Sequence, residues 1–188
     1  MYERIQRKPK KPADERQIAL DIPRTYPEEP FFTSGDSDAR QTLTLILNTL
    51  SKHASSTGYL QGLNYIVASL FFHCGEVLAF ELTIRLLNDY HLKEVQMANL
   101  PGLYHHCEVI KALVQEELPE LNRHFSDKRI EVFILCQNWI MTLFTQVIPL
   151  NQVQRFFALF FQDGWLIMYR LILVIFEKNQ AALCREND

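Results

Sequence analysis

What most limits this chain's possible folds is a helical spacing of apolar residues that recurs along its length with no rival alternation. The clearest case is Val132, Leu135, Cys136, Trp139, Ile140 and Leu143, which fall along one face of a 3.6-residue helix. Leu43, Ile46, Leu47 and Leu50 repeat it, as do Leu78, Leu82 and Leu86, and again Ile110, Leu113, Val114 and Leu118. No stretch carries the period of two that a half-buried strand requires. The expectation is an all-α fold: a single multi-helix domain of roughly eight to nine helices in one layered array.

Punctuation sets the helix limits. A short helix is expected from about Ala13 to Leu20, ending before Pro23, because the residue ahead of a proline is pushed out of helical geometry. Thr25 to Asp36, stiffened by prolines, reads as an extended loop anchored by Phe31 and Phe32. Asp36 or Ser37 can cap the helix that carries Leu43. Lys52 to Thr57 reads as a polar turn closed by Gly58, and the next helix ends near Cys74-Gly75. The helix bearing Leu78 should reach about Tyr90, and Asn99 to Gly102 interrupts the chain. Pro119 breaks the helix before it, a short turn spans Leu121 to Phe125, and Asp127 caps the helix that carries Val132. Pro149 suits the first turn of a helix over Asn151 to Phe161. Trp165 to Glu177, apolar nearly all round, should be a buried helix. Residues 1–12, with the run Arg7-Lys8-Pro9-Lys10-Lys11-Pro12, read as a basic flexible lead; 13–180 form the domain, and 181–188 a polar tail.

Composition narrows the function. A chain of 188 residues, 48% apolar with 13 phenylalanines, can build one real core. A net charge of −3 offers no dominant basic surface for nucleic acid. The most apolar region, Phe156 to Phe176, is broken by Gln162, Asp163, Gly164 and Arg170, so no transmembrane segment is expected. The basic residues from Arg4 to Lys11 are not followed by the apolar run of a secretory signal. Cys74, Cys107, Cys136 and Cys184 are scattered among apolar patterns, which suits reduced thiols in a cytoplasmic protein. His105-His106-Cys107 invites a metal, but neighbours on a helix point about 100° apart and do not converge on one ion. Glu28-Glu29 and Glu116-Glu117 read as solvated faces. Neither G-x-x-x-x-G-K-[ST] nor G-x-G-x-x-G occurs, so no nucleotide site of the chain's own is expected.

Two polar residues then stand out. Arg24 follows Pro23 where the first helix ends, and Gln61 lies between Gly58 and Gly62 just ahead of the helical pattern that opens at Leu63. Phosphoryl transfer to water uses such a pair: a guanidinium neutralises charge growing on phosphate oxygens, and a carboxamide orients the attacking water. Spacing alone also allows a surface arginine paired with Asp21 or Glu28, and a glutamine satisfying an orphan N–H at a helix start.

Ile18-x-x-Asp21-x-x-Arg24 followed by Thr25-Tyr26-Pro27, and Tyr59-x-Gln61-Gly62-x-Asn64, resemble the two signature motifs of the TBC domain, the GTPase-activating domain for Rab-type small GTPases. Pro30-Phe31-Phe32, Trp139 to Phe144 and Asp163-Gly164-Trp165 extend the resemblance over about residues 14 to 178. It implies a mechanism with two residues supplied in trans. Arg24 would stabilise charge on the γ-phosphate, and Gln61 would position the hydrolytic water. Asp21 would hold the arginine, Ile18 would anchor the segment, and Tyr59 and Gly62 would shape the turn that presents Gln61. An arginine supplied in trans to a GTPase is worth roughly 10³–10⁵ in rate, about 4–7 kcal/mol of barrier.

By the same resemblance the partner is a Rab-family GTPase, which brings the GTP and Mg; the domain has no cofactor of its own and turns over no substrate of its own. Work at endomembranes through peripheral association is implied as well. Two departures stand out. The family's helical subdomain ahead of the first motif is expected to be largely missing here, and Phe157-Ala158 stands where the family often has Trp-Asp. The alternative expectation is a catalytically inactive adaptor that grips a small GTPase or scaffold with the same surface.

Overall fold

The computed structural model describes residues 2–7, 12–34, 38–54 and 58–185. Among them are twelve α-helices and no strand: α1 (Tyr2–Gln6), α2 (Pro12–Asp21), α3 (Pro30–Thr33), α4 (Ala39–His53), α5 (Leu63–Cys74), α6 (Glu76–Asn88), α7 (Leu92–Gln96), α8 (Pro101–Glu117), α9 (Pro119–Lys128), α10 (Val132–Met141), α11 (Val153–Asp163) and α12 (Trp165–Leu183). Tight 3-10 turns cover Ile22–Arg24 and Leu150–Gln152.

Two helices organise the packing. α4 buries Leu43, Ile46, Leu47 and Leu50 and carries α1, α2, α3, α5 and α6 around it. α8 buries Leu103, Ile110 and Val114 and is flanked by α7, α9, α10 and α12. The two groups meet where α6 packs on α7 and α5 on α11. Both signature segments lie on the first group, at its border with the second: the 3-10 turn after α2, and the residues just before α5.

The all-α architecture agrees with the apolar spacing, but several local expectations need correction. The helix count exceeds eight or nine because short helices hide in stretches that read as loops. The lead at 1–12 is one of these. Its described part forms α1, whose Tyr2 and Ile5, one turn apart, are buried against α4. The Tyr2 hydroxyl donates to Glu76 at 2.6 Å, and the Tyr2 ring sits 4.7 Å from that of Phe80. The loop after Arg24 contains α3, with Phe32 buried as its anchor. Pro119 ends α8 but also opens α9, since a proline in the first turn lacks only an N–H that would go unpaired anyway. Leu121 and Phe125 are the buried stripe of that helix, and Asp127 lies inside it rather than capping α10.

On α6 only Leu86 of the expected trio is buried; Leu78 is exposed, and the core face is Ala79, Phe80, Thr83, Leu86 and Leu87. Neighbouring residues on a helix point about 100° apart, so Leu78 and Leu82 lie to one side of the buried Ala79 and Thr83, at the margin of the core face. α6 also stops at Asn88, short of Tyr90. α12 is not buried all round. Met168, Ile172 and Phe176 are buried, with Phe176 against Phe125 of α9 and Trp139 of α10, while Leu166 and Val174 are exposed. That helix runs on to Leu183, past the expected start of the polar tail. The expected caps Asp36 and Ser37 lie outside the described residues. Among those described, no helix is long and apolar enough to cross a membrane.

Candidate functional site

The 3-10 turn that carries Arg24 begins where α2 ends. Pro23 fits its first positions, and Ile18 and Ile22 are buried beneath it. Asp21, the last residue of α2, is fully buried, and its carboxylate gathers three donors. Arg24 Nη2 reaches Oδ1 at 2.5 Å, Gln17 Nε2 reaches the same oxygen at 3.0 Å, and the Tyr59 hydroxyl reaches Oδ2 at 2.7 Å. Burial and the adjacent Asp21 carboxylate push the Tyr59 phenol well up, so the ring keeps its proton and remains a donor.

This carboxylate joins the two segments. Three more bonds fasten the same seam. Asn64 Nδ2 donates to Thr25 Oγ1 (2.7 Å), Thr25 Oγ1 donates to the Asp21 carbonyl (2.7 Å), and the Tyr65 hydroxyl donates to the Arg24 carbonyl (2.8 Å). The backbone at Arg24 is therefore gripped by the first turn of α5, while 53% of its side chain stays exposed.

On the other segment, Gly62 takes φ +93, a left-handed conformation that glycine adopts without a Cβ penalty, and this reversal starts α5. Gln61, immediately before it, is exposed, and among the described residues its carboxamide has no bonded partner. Arg24, Gln61 and Gly62 line one open cleft of about 370 Å³, together with Asn64, Tyr65, Asn138, Met141, Thr142 and Gln146. Of the residues singled out in the sequence, Arg24, Gln61 and Gly62 meet at this cleft. Asp21 and Tyr59 stand behind them, and Ile18 is in the core.

Sequence reasoning missed Gln17, Asn138 and Gln146 as parts of the site. Asn64 and Thr25 lay within or beside the quoted motifs, so their proximity was legible although their bond was not. Of the two alternatives for Arg24, pairing with Asp21 is present, and it coexists with exposure to the cleft. His106 has a use unrelated to metal: its ring stacks on Trp165 at 3.7 Å and its Nδ1 lies 2.6 Å from the Tyr169 hydroxyl. Among the described residues no three of His, Cys, Asp and Glu stand together as a metal site.

The sequence matches the Rab-GTPase-TBC domain family over residues 1–184. It is 32% identical to the human ecotropic viral integration site 5 protein homolog, over 90% of this chain and 21% of that protein. It is 30% identical to the Rab GTPase-activating protein eat-17 of Caenorhabditis elegans, over 91% of this chain and 19% of that protein. The chain thus spans about a fifth of the length of these relatives. Among solved structures, the Chlamydomonas flagellar RabGAP TBC domain superposes with a TM-score of 0.79 at 26% identity, covering 95% of this chain and 59% of that one. The Ypt/Rab-GAP domain of Gyp1p superposes with a TM-score of 0.79 at 18% identity, over 92% and 62%, and shares the fold.

Proposed function

The chain belongs to the Rab-GTPase-TBC domain family, and from that premise we propose that it accelerates GTP hydrolysis on a Rab-type small GTPase, with Arg24 and Gln61 supplied in trans. The observation that carries this is the opening of both side chains into one cleft while the backbone behind Arg24 is fixed. Arg24 neutralises charge on the γ-phosphate oxygens as the bond to the leaving group lengthens. Gln61 accepts a hydrogen bond from the attacking water through its carbonyl and holds that water in line. Asp21 restricts the guanidinium before the partner arrives, so less ordering remains for the transition state. A guanidinium has five N–H donors, and the bond to Asp21 leaves others for phosphate. Nucleotide and magnesium come with the partner, and the domain acts peripherally on the endomembrane where that partner resides.

The same ion pair supports a second function. Arg24 drawn onto Asp21 suits an adaptor that binds a GTPase without acting on it. Single-turnover GTP hydrolysis across a panel of Rab-type GTPases separates the two. An activator speeds at least one member, and Arg24→Ala and Gln61→Ala each remove at least 10²-fold of the acceleration while binding persists. An adaptor binds but speeds none.

A further inference from the structure

The cleft lined by Arg24 and Gln61 has a further wall that neither signature segment provides. Asn138, near the end of α10, donates from Nδ2 to Oε1 of Gln146 at 2.8 Å, and both side chains are exposed in the cleft. The chain between them is strained: Leu143 and Phe144 take consecutive left-handed φ values of 48° and 57° with their side chains buried. Such conformations persist only where the surroundings enforce them, and they gather at functional sites.

Here Phe144 packs against Trp139, with ring centroids 5.4 Å apart, and against Phe156 at 6.3 Å, and the two signature segments hold the residues on either side. The Tyr26 hydroxyl, two residues beyond Arg24, donates to the Thr145 carbonyl at 2.6 Å. Gly62, next to Gln61, backs directly onto this wall: a Cβ there would lie 3.6 Å from the Met141 carbonyl oxygen and 3.7 Å from Thr142 Cγ2. Gln96 Nε2 fastens the same Met141 carbonyl at 2.7 Å. The amide pair is therefore held in a fixed relation to both finger residues.

Its chemistry is specific. The bond between the two carboxamides uses one of their four N–H donors and one of their four carbonyl lone pairs, so the exposed pair keeps both donors and acceptors to offer. Flipping both amides leaves the same mixed complement of donors and acceptors. A phosphate could use only the N–H donors of this pair, and a cation only its carbonyl oxygens. A main-chain peptide group, which offers one C=O and one N–H, satisfies both.

Resting on the GTPase-directed function proposed above, we infer that Asn138 and Gln146 form a carboxamide clamp for a main-chain peptide group of the partner's switch loop, the segment ordered by the γ-phosphate. Reading backbone rather than side chains, the clamp recognises the GTP-bound state of a partner more than its identity.

The test compares wild type with Asn138→Ala/Gln146→Ala, and with the exchanged pair Asn138→Gln/Gln146→Asn. Affinity is measured for Rab-type GTPases loaded with a non-hydrolysable GTP analogue or with GDP, alongside single-turnover hydrolysis at rising domain concentration. Both residues are exposed, and an unchanged thermal unfolding midpoint verifies the fold. The double-alanine variant should weaken binding to the GTP-analogue form about tenfold, as expected for losing two hydrogen bonds. Its GDP-form binding and its saturating rate should stay within about twofold, and the exchanged pair should recover most of the affinity. Unchanged affinity for the GTP-analogue form overturns the clamp even where Arg24→Ala abolishes hydrolysis. A lower saturating rate at full affinity overturns it as well. A wild type that binds without accelerating, and loses that binding in the double variant, supports the clamp and removes the catalytic function. A wild type that binds none of the GTPases overturns both.

Discussion

Asp21 receives donors from Gln17, Arg24 and Tyr59 on a carboxylate with no exposure to water. A buried anion with its lone pairs filled is tolerated, but one deprived of them is not. Asp21→Asn replaces an acceptor with an amine that must face one of these donors. It should lower unfolding stability by about 2 kcal/mol in urea denaturation. Arg24, released from its position, should lose about 10²-fold of the hydrolysis acceleration. Tyr59→Phe keeps the charge and removes one donor, and should cost about 1 kcal/mol. Wild-type behaviour in Asp21→Asn would show that Arg24 needs no support. Arg24, Gln61 and Asp21 were legible in the sequence because short motifs hold them. Asn138 and Gln146 gave no signal, because ordinary polar residues near a helix end carry none until a fold aims them.

Among the helices, the spacing of apolar residues located α4, α6, α8 and α10, whereas the contacts between them depended on features the spacing does not contain. Gly102 in the first turn of α8 shows this. A Cβ there would lie 2.7 Å from the Glu94 carbonyl carbon and from the Val95 nitrogen, both main-chain atoms of α7. Helix propensity alone favours alanine over glycine by about 1 kcal/mol. Backbone cannot step aside as a side chain can, and overpacking of this kind costs roughly 1–3 kcal/mol or more. The clash should win. Gly102→Ala is expected to lower stability by about 2 kcal/mol, moving the thermal midpoint down by roughly 4–8 °C for a domain this size, as circular dichroism melts would record. A raised midpoint would mean that α7 yields. The same limit explains α1 and α9: Tyr2 with Ile5 and Leu121 with Phe125 are stripes of two residues, too short for periodicity to declare.

For the whole molecule, α8 and α12 are joined through His106, stacked between its own helix and Trp165. Burial, with a smaller contribution from His105, lowers the His106 pKa from 6.5 to about 4. Because the folded pKa lies below the unfolded one, the unfolded chain takes up the proton first as pH falls. Stability is therefore lost progressively from about pH 6.5 down to pH 4, with no further loss from this group below that. Between pH 7 and pH 4.5 the loss should be about 2–3 kcal/mol greater in wild type than in His106→Gln. Urea unfolding at the two pH values checks this, and equal losses would mean that His106 is solvated when folded.

The order of apolar residues along the chain was enough to determine an all-α domain, because a 3.6-residue stripe can be buried only as a helix face. Two short motifs were enough to point to Arg24 and Gln61. Only the tertiary structure decided which face of α6 and α12 meets the core, and that the first residues form a helix packed on α4. It alone put Arg24, Gln61, Asn138 and Gln146 around one cleft. Burial and convergence depend on what lies across from a residue, and a linear sequence records only what lies beside it.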